Sequence, residues 1–491
     1  MISPKSCSWQ RVAPSLAALS VSIVGVCAWP YTVDDAYIVA RYARNLATFA
    51  GYSLDGRTPS DGVTGPLWLL PGMAASWLGG DPVVGAKLLG LAAMVTSVWL
   101  VLRRLGGRAG GRRLLAVAVL LVVCQPTAGC WGVAGLETGA ATLALCVAWL
   151  AATRRPHPDG LATGLGLAAL AWLRPELGVS AALLLVSLAL RHPRQARPAV
   201  WLASLGLGSV SLFRRLLFGA WLPLSYYAKL GTPAQGLQHA LGAALVLAGL
   251  FGLVLPIAAW LRGRSDDRSA ALLLAGQVVA VVFAGGDWMP GFRLFAPLLP
   301  IYVSLCAVGA VRLARSQLGA VVALLCLLFA CAVPATDLLT RMPDLRAAGA
   351  GRERVGRALA LQLQKAAHRV ALVDIGYLGY ISTLQVVDLA GITDPEIARL
   401  PGGHLDKHVS DALLARRAPD AVVLHASRPP RIDASGRLLS LAGYPVEQRV
   451  AAGAWLQTHF RVARVLHYAP HYEYVLLLPV AEASAAPGND R

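Results

Sequence analysis

Between residues 12 and 337 the chain keeps returning to one unit: a run of apolar residues, then a short loop. The runs lie near 12–30, 82–102, 112–128, 138–153, 160–173, 177–190, 198–217, 238–261, 269–284, 294–311 and 317–337. A helix needs about 20 apolar residues to cross the hydrocarbon core of a bilayer. The pattern predicts a polytopic α-helical membrane protein with about eleven transmembrane helices. Composition agrees, because 56% of 491 residues are hydrophobic and only 14% charged. With a mean hydropathy of +0.58, a soluble protein of this length could not hide so much apolar surface.

The loops test this reading. Five of them carry arginine clusters: Arg103, Arg104, Arg108, Arg112 and Arg113; Arg154 and Arg155; Arg191, Arg194 and Arg197; Arg262, Arg264 and Arg268; Arg312 and Arg315. If the runs cross alternately, all five fall on the same side as Lys5 and Arg11. The positive-inside rule makes that side cytoplasmic, with the N-terminus inside and the C-terminus outside. The net charge of +18 thus belongs to topology. No basic cluster interleaves with aromatic residues, so nucleic acid is not an expected partner. The first run could be read as a cleaved signal peptide, but "CAW" is a poor small-residue cleavage site and more spans follow, so a retained helix is expected. Most of the eight cysteines sit inside apolar runs as small hydrophobes, and none has zinc-ligand spacing.

The opposite loops carry "YTVDDAYIVARYARN", "WGVAGLET", "LRPE", "LPLSYYAKLG" and "GGDWMPGFR". They hold few charges, set among aromatic residues, Gly and Pro. The segment 31–80 is too long for a simple loop. It reads as a helix from Asp34 to Phe49, a turn-rich stretch, then an apolar helix too short to span. Two interfacial helices lying on the membrane are expected. After residue 340 the pattern changes to an amphipathic helix followed by β-rich runs, "RVALVDIGYLGYI", "DAVVLHA" and "YEYVLLLPV" among them. The expected organisation is a transmembrane part over 1–340, a soluble α/β domain over 341–480 and a disordered tail over 481–491.

Ionisable groups at a membrane face are functional candidates by default. Asp34 and Asp35 are adjacent. They can cap a helix. They can also serve as a general base, because two neighbouring carboxylates in a partly dry site do not both ionise cheaply. A divalent cation is the cofactor that such a pair can hold. At about 100° per residue Asp34, Arg41 and Asn45 share one helical stripe, and Tyr42 lies on another. Asp287 and Arg293 flank the "GGDWMPGFR" turn with Trp288. Arg174 and Glu176 in "LRPE" suit a local ion pair or a ligand contact alike. Arg214 and Arg215, near Tyr226, Tyr227 and Lys229, suit a phosphate partner or snorkelling to headgroups.

"DDAYIVARYARNL", "SDGVTGPLW", "GLETG", "LRPE", "LPLSYYAKLG", "GGDWMPGFR" and "VDLAGITDPEIAR" together resemble the GT-C superfamily of integral-membrane glycosyltransferases. The nearest likeness is to the mycobacterial terminal arabinofuranosyltransferase family and its bacterial relatives. The resemblance implies a GT-C-like fold in a bacterial cytoplasmic (inner) membrane, with the C-terminal domain extracytoplasmic. It implies a polyprenyl-phosphate sugar donor, a glycan, lipid or protein acceptor in the cell envelope, and inversion at the anomeric carbon. It makes Asp34 or Asp35 the catalytic base, Asp34 slightly preferred. Arg174, Arg215, Lys229 and Arg293 become donor-phosphate cations. Arg41, Tyr42, Arg44, Tyr226, Tyr227, Asp287 and Trp288 become substrate contacts. Two rival functions use the same features, a transporter or flippase of a lipid-linked or anionic substrate and a non-catalytic envelope or motor assembly protein. No internal repeat is visible and the charged motifs cluster at one face, which argues against the transporter.

Overall fold

Each of the eleven apolar runs forms helix in the computed structural model, which describes residues 4–229, 232–287, 289 and 291–483. Tail residues from 484 onward lie outside the described residues. The membrane part opens with α1 (Pro4–Cys27), α2 (Asp34–Ala47), α3 (Leu69–Trp77) and α4 (Pro82–Gly106). It continues through α5 (Gly111–Val123), α6 (Thr127–Val133), α7 (Thr138–Ala152), α8 (Gly160–Leu173) and α9 (Gly178–Arg191). Then come α10 (Pro193–Phe218), α11 (Leu224–Ala228), α12 (Pro233–Ala248), α13 (Val254–Arg262), α14 (Ser265–Ala284) and α15 (Leu299–Leu313).

Helicity and crossing are separate matters. By length and composition, six described helices are long and apolar enough to span, or up to eight if each of two bent pairs is one span. One pair, α5 and α6, bends by 59° around Gln125 and Pro126, where proline has no N–H to give. The other, α12 and the helical stretch Phe251–Arg262 that includes α13, bends by 85°. There Gly249 and Leu250 both take positive φ, 60° and 54°. An unbroken run over 238–261 conceals this break, because leucine at position 250 gives no turn signal. The helices α7, α8 and α9 have 15, 14 and 14 residues.

The five arginine loops meet at one end of the bundle, around the first turn of α14. Asp266 pairs with Arg104 at 3.6 Å, Arg108 at 3.5 Å and Arg155 at 3.4 Å. Asp267 pairs with Arg108 at 2.7 Å and Arg312 at 3.2 Å. Arg191 reaches Ser269 Oγ at 2.8 Å. The loops assigned to one side by charge therefore share one face.

Helix α16 (Gln317–Ala366) runs for 50 residues, through Pro334 and Pro343. At about 1.5 Å per residue that is roughly 75 Å, more than twice a bilayer core. It crosses the expected boundary at 340 without a break and delivers the chain to the C-terminal sheet. The sheet order is β2-β1-β3-β7-β6, with β1 (Arg369–Leu372), β2 (Gln385–Asp388), β3 (Ala421–Ala426), β6 (Phe460–Ala469) and β7 (Tyr472–Pro479). β1 pairs in parallel with β2 and β3, while β7 runs antiparallel to β3 and β6. A hairpin of β4 (Arg431–Ile432) and β5 (Leu438–Ser440) stands apart. Short helices α17 (Ile375–Ile381), α18 (Pro395–Ala398), α19 (Asp411–Arg417), α20 (Pro445–Ala452) and α21 (Ala454–His459) complete the domain. The chain is thus a polytopic helical protein with a C-terminal α/β domain.

The first outer loop does not lie open. Helix α2 is sandwiched between α3 and α4 on one side and α17 on the other. Tyr37 packs edge-on against Tyr377 with centroids 4.9 Å apart, and Ala40 and Tyr380 join the same cluster. Helix α3 keeps Leu70 and Trp77 exposed.

Close helix crossings rest on small residues. At the contact of α4 with α7, a Cβ added to Gly139 would come within 2.1 Å of the Gly90 carbonyl oxygen. Gly139→Ala is expected to destabilise the protein by about 1–3 kcal/mol through backbone displacement. Thermal unfolding of the detergent-purified variant checks this.

Candidate active site

At the opposite end of α14 from Asp266, Gly285 and Gly286 take φ of 80° and 83°. These left-handed positions turn the chain sharply, and Asp287 comes to face inward. Its Oδ2 accepts from Arg293 Nε at 2.9 Å, and its N–H donates to His239 Nδ1 at 3.5 Å. Burial pushes the Asp287 carboxyl up, but Arg293, Lys229 and Arg174 outweigh it and hold it below the usual carboxylate range. Arg174, 2% exposed, sits between Glu137 Oε1 at 3.0 Å and Glu176 Oε1 at 2.9 Å. Its Nη1 also donates to the Arg293 carbonyl at 3.4 Å. Lys229, just past α11, pairs with Asp35 Oδ2 at 3.6 Å. Acids and cations thus alternate from Asp35 through Lys229 and Asp287 to Arg293, with Arg174 and its two glutamates behind.

A cavity of about 530 Å³ opens beside this array, lined by Lys229, Gln235, His239, Asp287, His404 and Asp406 among others. His404 comes from the C-terminal domain. Burial, with Lys229 adding to it, lowers the His404 imidazole to about 3. A neutral ring therefore faces the cavity near pH 7, able to donate or accept one hydrogen bond.

Asp34 has a different task. Its Oδ2 accepts from Gly376 N at 2.8 Å and its Oδ1 from Tyr377 N at 3.0 Å. The carboxylate caps α17 of the C-terminal domain across 342 residues of chain. Arg352 Nε lies 3.7 Å from Oδ1, and Arg352 Nη1 donates to the Thr32 carbonyl at 3.2 Å. Burial raises the Asp34 carboxyl despite Arg352 and the two N–H bonds, with Asp374 adding to the rise. Both adjacent aspartates were base candidates; only Asp35 has its carboxylate turned to the cation array.

Of the candidates from sequence, Asp35, Lys229, Asp287, Arg293 and Arg174 come together. Arg215 lies apart: it is exposed, donates to the Gly219 carbonyl at 3.0 Å and lies over the Trp221 ring. Its neighbour Arg214 turns inward and pairs with buried Asp61 at 3.0 Å. One residue moves a side chain about 100° around a helix, so adjacent arginines cannot share a face. Arg41 donates to the Leu54 carbonyl and Tyr42 bonds to Ser60 Oγ. Arg44 stacks over Tyr380. All three hold the first outer loop or its contact with the C-terminal domain. Tyr226 is exposed, and Tyr227 lies under Arg399 at 5.2 Å. Trp288 lies outside the described residues.

Sequence reasoning missed His239, Arg352 and Asp61. The signal for His239 was a lone imidazole in an apolar run; Arg352 sat unremarked on an amphipathic helix. Among the described residues no group of three or more His, Cys, Asp or Glu could hold a metal ion. With both Asp34 oxygens taken by N–H groups and Asp35 paired to Lys229, the aspartate pair does not fit a divalent cation.

Against this geometry, the pattern of a family described as "Domain of unknown function (DUF8728)" matches residues 343–478. No curated protein matches the chain. Among solved structures, ArnT from Cupriavidus metallidurans in the apo state is similar over 99% of this chain and 100% of that one, with a TM-score of 0.56 at 14% identity. The likeness is one of fold alone.

A group raised on folding contributes stability below its unfolded pKa and loses it as pH rises through the folded one. With Asp34 raised from 3.8 to about 6, its contribution is full below pH 3.8 and gone above about pH 6. Asp34→Asn is expected to flatten the dependence of Tm on pH across that window. An unchanged slope would assign the dependence to another acid.

Proposed function

We propose that this chain is a GT-C-type glycosyltransferase moving a sugar from a polyprenyl-phosphate donor to a hydroxyl of an envelope glycan, lipid or protein. The proposed site of action is the extracytoplasmic face of a bacterial cytoplasmic membrane. One observation carries this reading: Asp35 with Lys229, Asp287 and Arg293 beside a cavity of about 530 Å³. The likeness of fold to ArnT and the sequence motifs support it.

The chemistry is an in-line displacement. The acceptor oxygen forms a bond to the anomeric carbon while its proton passes to the Asp35 carboxylate. The bond from the anomeric carbon to the phosphate oxygen breaks, and polyprenyl phosphate leaves with the electron pair. Lys229 and Arg293 face the charge that develops on that phosphate, and Arg174 supports them from behind. Asp287 holds the Arg293 guanidinium in place. The neutral His404 ring offers the acceptor a hydrogen bond. Asp35 replaces Asp34 as the preferred base because an acid with both oxygens engaged by N–H groups is poorly placed to take a proton. The likeness to arabinofuranosyltransferases makes polyprenyl-phosphate arabinofuranose the first donor to try.

Asp35→Asn is expected to lower turnover by about 10²-fold or more in lipid-reconstituted enzyme, with Tm little changed. Asp34→Asn, assayed below its own Tm, is expected to retain turnover. Full activity in Asp35→Asn would move the base elsewhere. Lys229→Gln is expected to lower kcat more than it raises KM for the donor, because the charge it faces develops in the transition state. Mass spectrometry of envelope glycans with and without the gene identifies the transferred sugar, and unchanged glycans would remove the transferase reading.

A further inference from the structure

The face opposite the proposed active site holds a second cavity, of about 520 Å³. Its polar lining is lopsided: Arg103, Arg104, Arg108, Arg155 and Arg264 surround a single carboxylate, Asp266. That carboxylate is already committed, with Arg104, Arg108 and Arg155 all within 3.6 Å. The neighbouring Asp267 is committed too, its oxygens taken by Arg108, Arg312 and the Arg264 backbone N–H. Both acids are buried, 5% and 2% exposed, so they stand behind the arginines and leave the cavity mouth to the cations. Arg103 lies over the Trp99 ring at 5.0 Å. Among the described residues neither it nor Arg264 has an ion-pair partner.

Structural pairing alone does not require this arrangement. Two carboxylates are matched by two arginines, and here several more converge from different loops at the cost of mutual repulsion. An anion in the cavity relieves that repulsion. Guanidinium forks fit the oxygens of a phosphate in pairs. The cavity also lies where α4 and α7 end, and Leu100 and Leu150 give it an apolar side. The whole 20-residue length of α14, about 30 Å, separates it from Asp287. It is therefore distinct from the site of the proposed transfer.

We infer that this cavity binds a phosphate ester, the headgroup phosphate of an anionic phospholipid being the occupant that its apolar side favours. Basic pockets at helix ends have the charge to hold such headgroups. A soluble phosphate ester offers the same oxygens without the acyl chains, and the test separates the two.

The experiment uses the full chain, purified and reconstituted in nanodiscs of phosphatidylcholine with about one tenth phosphatidylglycerol, an order-of-magnitude dose. Lipid retained after transfer to detergent is read by native mass spectrometry. The test variant is the triple Arg103→Gln, Arg155→Gln, Arg264→Gln, built on exposed positions. The control is Arg112→Gln, Arg113→Gln, Arg268→Gln, which removes equal charge from the same face outside the cavity lining. The wild type and the control are expected to retain phosphatidylglycerol over phosphatidylcholine, and the cavity triple to retain it about tenfold less or lower still. A parallel arm measures Tm against inorganic phosphate. A rise in wild type that the cavity triple lacks, without a lipid adduct, supports the same phosphate site with a soluble occupant. Equal retention by both triples, or retention of phosphatidylcholine as strongly as phosphatidylglycerol, overturns the inference.

Discussion

The Asp34 carboxylate holds the two halves of the protein together. It projects from the start of the first outer helix and accepts the Gly376 and Tyr377 N–H groups at the head of a helix in the C-terminal domain. Besides the long lead-in helix, that junction is joined by Arg44 over Tyr380 and by Arg399 over Tyr227 in holding the soluble domain to the membrane part. With the domain docked, the tyrosine cluster of Tyr37, Tyr377 and Tyr380 closes, and the loop carrying His404 roofs the cavity beside Lys229. The geometry of the proposed site is therefore a consequence of domain docking as much as of helix packing.

Both faces of the membrane part follow one rule: a charge kept near lipid needs a partner. On one face Asp266 and Asp267 gather arginines from the basic loops. On the other, Asp61 with Arg214, Glu137 and Glu176 with Arg174, and Asp287 with Arg293 make local pairs. The two faces differ in stoichiometry. The first has a surplus of cations around its cavity. In the second, acids and cations alternate along an open cavity, which suits a substrate that brings both a hydroxyl to be deprotonated and a phosphate to be neutralised.

Much of the fold was legible because apolar run length and arginine placement are properties of the chain itself. Every run became helix, and all five basic loops met on one face. The bend at Leu250 was not legible, since nothing about leucine announces positive φ. The continuity of the 50-residue helix was hidden by the change near residue 340 from an apolar run to an amphipathic stretch, which read as the start of another domain. In the candidate site, Lys229, Asp287, Arg293 and Arg174 were visible as charges at a membrane face. Arg214 was legible as a charge but not in its orientation, because a helical phase can be assigned only when the neighbours on each side are known.

The sequence by itself determined that this chain is a multi-helix membrane protein with an α/β appendage, and which loops share a side. Hydrophobicity and charge act on each segment independently, so they can be read segment by segment. Which of two adjacent aspartates faces the cations was decided only by tertiary structure. Asp34 and Asp35 are chemically identical and one residue apart, and a turn of about 100° sends one to the docked domain and the other to Lys229. That choice depends on surfaces more than 300 residues away in the chain, and no local property of the sequence carries it.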